Sequence, residues 1–305
     1  MNNDKLVSVI IPTYKRADTL PRAIRSVLDQ NYSNTEIIVV DDNSPDTEDR
    51  KLTEKVMEQF SENKKVKYIK HIKNKNGSAA RNTGFRQSNG EYIMFLDDDD
   101  EFINNKITKQ VEKLESLDLS WGACYTNYVR KKNNKAVVYG AEKREGNLVK
   151  EELMRNLFIH AGSNLMIRRE VVEEVNGFDE SFKRNQDIEF MTRVLMKYKL
   201  AYVGEVGLVV HVHDNILSRE KFEEITADYL DKFSSFINEL NEEDRSKIYK
   251  MINLQLFRNF LVTKNLKKAF SIISAKKISL GLVLKYLMHL VYRRVSKKAY
   301  GFDID

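Results

Sequence analysis

The sequence predicts an α/β fold: a mostly parallel central sheet flanked by helices, then a helical C-terminal region. Three observations lead there. Short, β-branched apolar runs recur about every 30 residues in the first hundred positions, at 6–11, 36–40, 66–69 and 92–96, and that is the length of a βαβ unit. Between them lie longer segments with helical periodicity. From Ser218 onward the chain has no proline, and its apolar residues keep a helical rhythm.

In chain order, the run 6–11 reads as the first strand and leads into Pro12-Thr13-Tyr14. A helix over 18–30 follows, with Leu20, Ile24, Val27 and Leu28 on one face. The second strand, 36–40, runs into Asp41-Asp42-Asn43-Ser44, and a helix spans 47–60. The third strand, 66–69, precedes a helix over 78–88, and the fourth, 92–96, ends in Asp97-Asp98-Asp99-Asp100. Ligands of open α/β sheets bind outside the carboxyl ends of the strands, where this chain concentrates its unusual residues. The pattern then turns mixed, with a hairpin tip at 130–135. It continues with a helix at 149–157, a strand at 163–167, a turn at Gly177, a helix at 187–198 and a short strand pair at 201–203 and 208–212. Helices near 220–240, 244–263, 265–275 and 278–295 complete the chain.

Charge divides the 305 residues unevenly. Lys and Arg number 51 against 45 Asp and Glu, for a net +6, but residues 247–305 alone carry 13 bases and two acids, or +11, leaving −5 on the rest. A mildly acidic body with a basic tail is not the pattern of a nucleic-acid binder. The single cysteine, Cys124, excludes a disulfide framework and a Cys-based zinc cluster and suits a reducing compartment. No signal peptide is expected, because the first apolar run is six residues long and stops at Pro12. The most apolar stretch, 278–292, is about a turn short of a membrane span and is interrupted by Lys285 and His289.

Four adjacent carboxylates at a buried strand end repel one another unless a cation or solvent compensates. In extended chain Asp97 and Asp99 point to one side, and hard oxygen donors suit Mg²⁺ or Mn²⁺ with phosphates completing the shell. Taken alone, the tetrad reads as a solvated acidic turn before it reads as a metal site. It is no EF-hand, since Phe102 and Thr108 stand where that loop needs Gly and Glu. Asp41-Asp42 forms a second acidic strand end, while Asn43-Ser44-Pro45 alone would simply cap the next helix. The stretch Asn76-Gly77-Ser78-Ala79-Ala80-Arg81-Asn82-Thr83-Gly84 puts small residues and one arginine on a helix's first turns, where an anion can approach. No GxGxxG follows the first strand, and neither a GxxxxGK[ST] loop nor a GxSxG elbow occurs, which argues against dinucleotide, P-loop and hydrolase chemistry.

Over about residues 6–215 these segments together resemble the family 2 glycosyltransferases of the GT-A fold: Val7-Ser8-Val9-Ile10-Ile11-Pro12-Thr13-Tyr14, Ile38-Val39-Val40-Asp41-Asp42-Asn43-Ser44, the 76–84 stretch and Phe95-Leu96 with the acidic tetrad. Gly162-Ser163, Gly177-Phe178-Asp179-Glu180 and Gln186-Asp187-Ile188-Glu189 then follow in the family's order. The resemblance implies an inverting, metal-dependent transfer of sugar from a nucleotide-sugar, foremost a UDP-sugar, to a glycan or lipid-linked glycan of a bacterial surface polysaccharide. It implies Asp187 as catalytic base, Asp99 and His213 as ligands of Mn²⁺ or Mg²⁺, and Asp97 on ribose or donor sugar. Pro12, Tyr14 and Asp42 would frame the base, with Thr13, Arg16, Asp41, Gly77, Arg81 and Asp98 around the nucleotide. Gly162, Ser163, Gln186 and His211 would face the acceptor or diphosphate. Gln186 replaces a frequent Glu, and His211 a frequent Arg. A nucleotidyltransferase of similar fold and an inactive binding scaffold are the competing readings.

The implied division is a GT-A domain over 1–216, with a nucleotide half (1–100) and an acceptor half (101–216), then a helical basic region over 217–305. Within 271–298 large apolar residues mix with lysines and arginines, so the tail either packs on the body or lies on an anionic membrane. The expected setting is cytoplasmic, at the inner face of the cell membrane, with no nucleic-acid partner and with room for a homo-oligomer.

Overall fold

Four strands and three helices build the first hundred residues: β1 (Val7–Thr13), α1 (Leu20–Leu28), β2 (Thr35–Asp41), α2 (Glu48–Met57), β3 (Val66–Lys70), α3 (Gly77–Arg86) and β4 (Tyr92–Phe95). The computed structural model describes residues 4–103, 105–182, 184–212 and 221–304. β1 runs parallel to β2 and β4, and β2 parallel to β3. Helices cover both faces, so these strands are continuous apolar runs rather than alternating ones. Val9, Ile10, Ile37 through Val40, Ile93 and Met94 are all fully buried. The register pairs Thr13 with Asp41 and Ile10 with Phe95, which brings the residues after β1, β2 and β4 to one edge of the sheet.

Local chemistry sets the helix ends. Thr47 caps α2 by accepting from Arg50 N at 3.2 Å, and Glu48 and Asp49 fill its first turn, where negative charge suits the dipole. Asn76 caps α3 by accepting from Ala79 N at 3.1 Å. α3 also lies unusually close to β1, because a Cβ at Gly84 would sit 2.3 Å from Ile10 Cγ2.

The chain continues through β5 (Glu101–Phe102), α4 (Lys106–Glu115), β6 (Trp121–Lys132), β7 (Lys135–Gly140), α5 (Val149–Leu153), α6 (Ala161–Asn164), β8 (Leu165–Arg168), α7 (Arg169–Glu174), α8 (Gln186–Leu195) and β9 (Lys199–His211). β8 runs antiparallel between β4 and β6, β7 antiparallel to β6, and β9 parallel to β6 while pairing β5. The strand path is β7-β6-β8-β4-β1-β2-β3, so the sheet is mixed: parallel in its first half and largely antiparallel beyond β4. Two expectations change here. The strand pair at 201–203 and 208–212 is one continuous strand, β9, whose glycine-flanked segment bulges instead of turning, with register shifts around Asn127. The strand expected at 163–167 begins at Leu165, because Ser163 and Asn164 close a short helix.

Two compact units emerge, residues 1–148 with 159–212, and residues 149–158 with 213–305. The second contains α5 and α9 (Phe222–Lys232), α10 (Ser234–Glu239), α11 (Glu242–Val262), α12 (Leu266–Ala275) and α13 (Leu280–Ser296). Asn241 caps α11, and Ile248, Met251, Ile252, Leu254, Phe257 and Phe260 form its buried side. Tyr286 of α13 meets Phe302 edge-on at 5.3 Å, and the Asn156 amide holds the Phe302 backbone by two bonds of 2.7 and 2.8 Å. Among the described residues, no helix is long and apolar enough to cross a membrane.

Candidate active site

Behind the sheet edge stands a buried brace. Asp41 is fully buried. Its Oδ1 accepts from Asn43 N and Nδ2, both at 2.8 Å, its Oδ2 accepts from the Tyr68 hydroxyl at 2.6 Å and the Arg50 Nε lies 2.9 Å from that oxygen. Arg50 also donates to the Asp41 and His71 carbonyls at 3.2 and 2.9 Å and to the Asn43 carbonyl. Asp41 thus sits inside the fold rather than beside the nucleotide, where the motif suggested it.

Asp42 lines the cleft, yet its carboxylate is already well used. Oδ1 meets His71 Nδ1 at 2.7 Å and accepts from Lys75 N at 2.8 Å. Oδ2 accepts from Asn74 Nδ2 and Asn76 N, both at 2.9 Å. Four contacts fill a carboxylate's acceptor sites. Asp42 therefore shapes the 74–76 loop, and through Asn76 it positions the start of α3.

In front lies a cleft of about 440 Å³, lined by Pro12, Thr13, Tyr14, Arg16, Asp42, Asn74, Asn76, Gly77, Ala80, Arg81, Asp97, Asp98 and Asp99. Tyr14 has its ring half-exposed, which leaves a face for stacking. Arg81, on the second turn of α3, donates to Asp97 Oδ1 at 2.5 Å, and Arg16 pairs with Asp99. Asp98 points inward and accepts from Tyr14 N at 3.3 Å; burial pushes its carboxyl up to about 7, against the pull of Thr13 and Arg16. Burial also works to raise Asp97, but Arg81, His160 and Arg16 outweigh it and hold that carboxyl below the usual range.

Asp100 is buried and lies 3.2 Å from His160 Nε2. Burial opposes charge on this imidazole, yet Asp100 and Asp97 raise it above its ordinary value. Asp97, Asp100 and His160 present ligand atoms all within 4.8 Å of one another. Two carboxylates and an imidazole suit a divalent cation. This set differs from the Asp99 and His213 expected from the motif: Asp99 is held by Arg16, and His213 lies outside the described residues. His160, missed in the sequence, is 60 residues from its acidic partner.

Ser163, fully buried, accepts from Asp97 N at 3.1 Å, so it orients the acidic turn. Gly162 marks a convergence. A Cβ there would lie 3.2 Å from Asp97 Oδ2 and 3.8 Å from Asp187 Oδ2, so both carboxylates come within about 4 Å of one point. Asp187 stands on the first turn of α8. Its neighbour Gln186 turns to α3, with Oε1 3.3 Å from where a Gly77 Cβ would be. His211, at the end of β9, pairs with Glu101, a contact that engages its Nε2 away from the cleft-lining set.

The chain matches the family described as Glycosyl transferase family 2 over residues 8–176. It belongs to that family. It is accordingly an inverting glycosyltransferase of GT-A fold. A relative from Escherichia coli, named UDP-Glc:alpha-D-GlcNAc-diphosphoundecaprenol beta-1,3-glucosyltransferase WfgD, is 27% identical, the match covering 90% of this chain and 100% of that one. S. aureus TarS 1-349 in complex with UDP-GlcNAc superposes with a TM-score of 0.67 at 17% identity, over 96% of this chain and 88% of that one; the family 2 chain spans 43% of a longer TarS structure. A mannosyltransferase from Pyrobaculum calidifontis in complex with GDP-Man and Mn2+ gives a TM-score of 0.60 at 18% identity, over 96% and 81%.

Proposed function

We propose that this family 2 enzyme transfers a sugar from a UDP-sugar to a hydroxyl of a lipid-linked glycan in bacterial surface-polysaccharide assembly. One observation carries the reading: Asp187 reaches the same point over Gly162 as Asp97, which itself lines the cleft together with Tyr14 and Arg81. The UDP-GlcNAc complex of TarS and the diphosphoundecaprenol acceptor in the WfgD name support the donor and acceptor classes.

In this reading Tyr14 stacks on the base, and Arg16 and Arg81 exchange their carboxylate partners for phosphate oxygens. Asp187 takes the proton of the acceptor hydroxyl as it attacks the anomeric carbon opposite the leaving diphosphate. One displacement with one base inverts the anomeric centre. Asp97, Asp100 and His160 would hold a Mn²⁺ or Mg²⁺ ion, with Asp99 and His213 as the ligands the motif implies; when bound, such an ion neutralises charge on the departing diphosphate. Residues 1–216 would be the catalytic domain and 217–305 a docking region on the inner face of the membrane. Thermal stabilisation by a panel of UDP- and GDP-sugars, each with and without Mn²⁺, tests the donor. UDP-sugars should raise the melting temperature and GDP-sugars should not; the opposite order would overturn the UDP assignment.

A further inference from the structure

The C-terminal helix α13 leaves an apolar stripe uncovered. Leu280, Leu284, Met288, Val291 and Val295 are each 59–80% exposed. At about 100° per residue they fall within an arc of about 80°, while Val283 and Tyr286 on another side of the helix are buried. Five large side chains in one exposed row exceed the scattered apolar residues normal on a soluble surface.

Charge identifies what covers the stripe. Lys276 and Lys277 are exposed just before the helix, Lys285 and Arg294 along it, and Lys297 and Lys298 just after it. No Asp or Glu occurs between Asp244 and Asp303. A protein partner would match such a stripe with apolar side chains rimmed by acids in one geometry. A fluid anionic bilayer accepts apolar side chains and surrounding cations together, without fixed geometry. The helix lies on such a surface rather than spanning it, since its 17 residues include Lys285, Arg293 and Arg294 and it is not apolar all round.

We infer that α13 is an in-plane anchor: Leu280, Leu284, Met288, Val291 and Val295 insert among acyl chains of an anionic leaflet, and the flanking lysines and arginines meet its headgroups. The inference deepens the lipid-linked acceptor reading and rests on it for its purpose. A transferase held at the surface meets an acceptor confined there without searching the bulk.

Vesicle co-sedimentation of the full chain tests it, with phosphatidylcholine vesicles containing about 30 mol% phosphatidylglycerol against pure phosphatidylcholine. Binding should require the anionic lipid and weaken with salt. Leu284→Glu with Val291→Glu should lower partitioning at least about 10-fold, and Lys276→Gln with Lys277→Gln about 25-fold. Both pairs are exposed, so melting temperature and UDP-sugar stabilisation should stay as in the unsubstituted chain. Unchanged partitioning of the glutamate variant, or equal binding to both vesicles, would overturn the anchor. So would a dimer in sedimentation velocity that the glutamate variant dissolves, since a second copy would then cover the stripe. Vesicle binding without UDP-sugar stabilisation would sink the donor reading and leave the anchor standing; stabilisation without vesicle binding would do the reverse.

Discussion

Replacing Asp41 by asparagine separates a brace from a ligand contact. The carboxylate is fully buried, with Arg50 Nε at 2.9 Å and three further hydrogen bonds from Asn43 and Tyr68. Asparagine keeps one acceptor oxygen for Asn43 but turns an amide toward a guanidinium that is itself buried. Breaking a buried pair from one side costs about 3–5 kcal/mol, because the remaining charge stays desolvated. The first unit has about 200 residues; for that size each kcal/mol moves the melting temperature about 2–4 °C, so the expected fall is about 6–20 °C. Differential scanning calorimetry reads it, and isothermal titration with UDP well below the transition should find affinity within about threefold of the parent. A variant that melts like the parent but no longer binds UDP would refute the brace and return Asp41 to the nucleotide.

Gly162→Ala places a methyl 3.2 Å from Asp97 Oδ2 and 3.8 Å from Asp187 Oδ2, so Asp97 must give by a few tenths of an ångström; a shift of about 1 Å at a reacting centre costs about 10²-fold, so kcat/KM should drop by about 3- to 10-fold while the melting temperature holds, and a fully active alanine variant would show that this point is not where the sugar sits. Lys106 is buried against Thr126 Oγ1, Asn164 O and Asn164 Oδ1 at 3.0, 3.1 and 2.7 Å, and burial lowers its ammonium to about 7. Between about pH 7 and 10.5 the unfolded chain therefore binds a proton that the folded chain does not, so stability should rise with pH across that window. Lys106→Met should flatten the rise in melting temperature from pH 7 to 9.5, and an unchanged slope would assign it to other groups.

The first half of the fold was readable because its strands are buried on both faces, which makes Val9, Ile10 and Ile37 through Val40 unbroken apolar runs. The second half was less so. Gly204 and Gly207 look like turn residues, but their segment bulges while β9 stays paired to β6 on both sides of it, and only the neighbouring strand decides that. Asp41 and Asp42 look alike in sequence, yet successive strand residues face opposite ways, so one lies in the core and the other on the cleft. His71, Asn74 and Arg50 carried no local signal, since each meets its carboxylate across loops. The same holds for His160 and Asp100. In the tail the sequence mixes apolar and basic residues through 271–298, and helical phase then sorts Val283 and Tyr286 inward from Leu284 and Val291.

In the proposed reaction Asp187 deprotonates the acceptor hydroxyl beside Asp97. The most direct test is single-turnover transfer from the UDP-sugar that stabilises the chain, comparing the parent enzyme with Asp187→Asn. The rate should fall by about 10² or more, with UDP-sugar binding retained and an inverted anomeric product from the residual activity. Transfer at the parent rate by the asparagine variant, or a product of retained configuration, would contradict this mechanism.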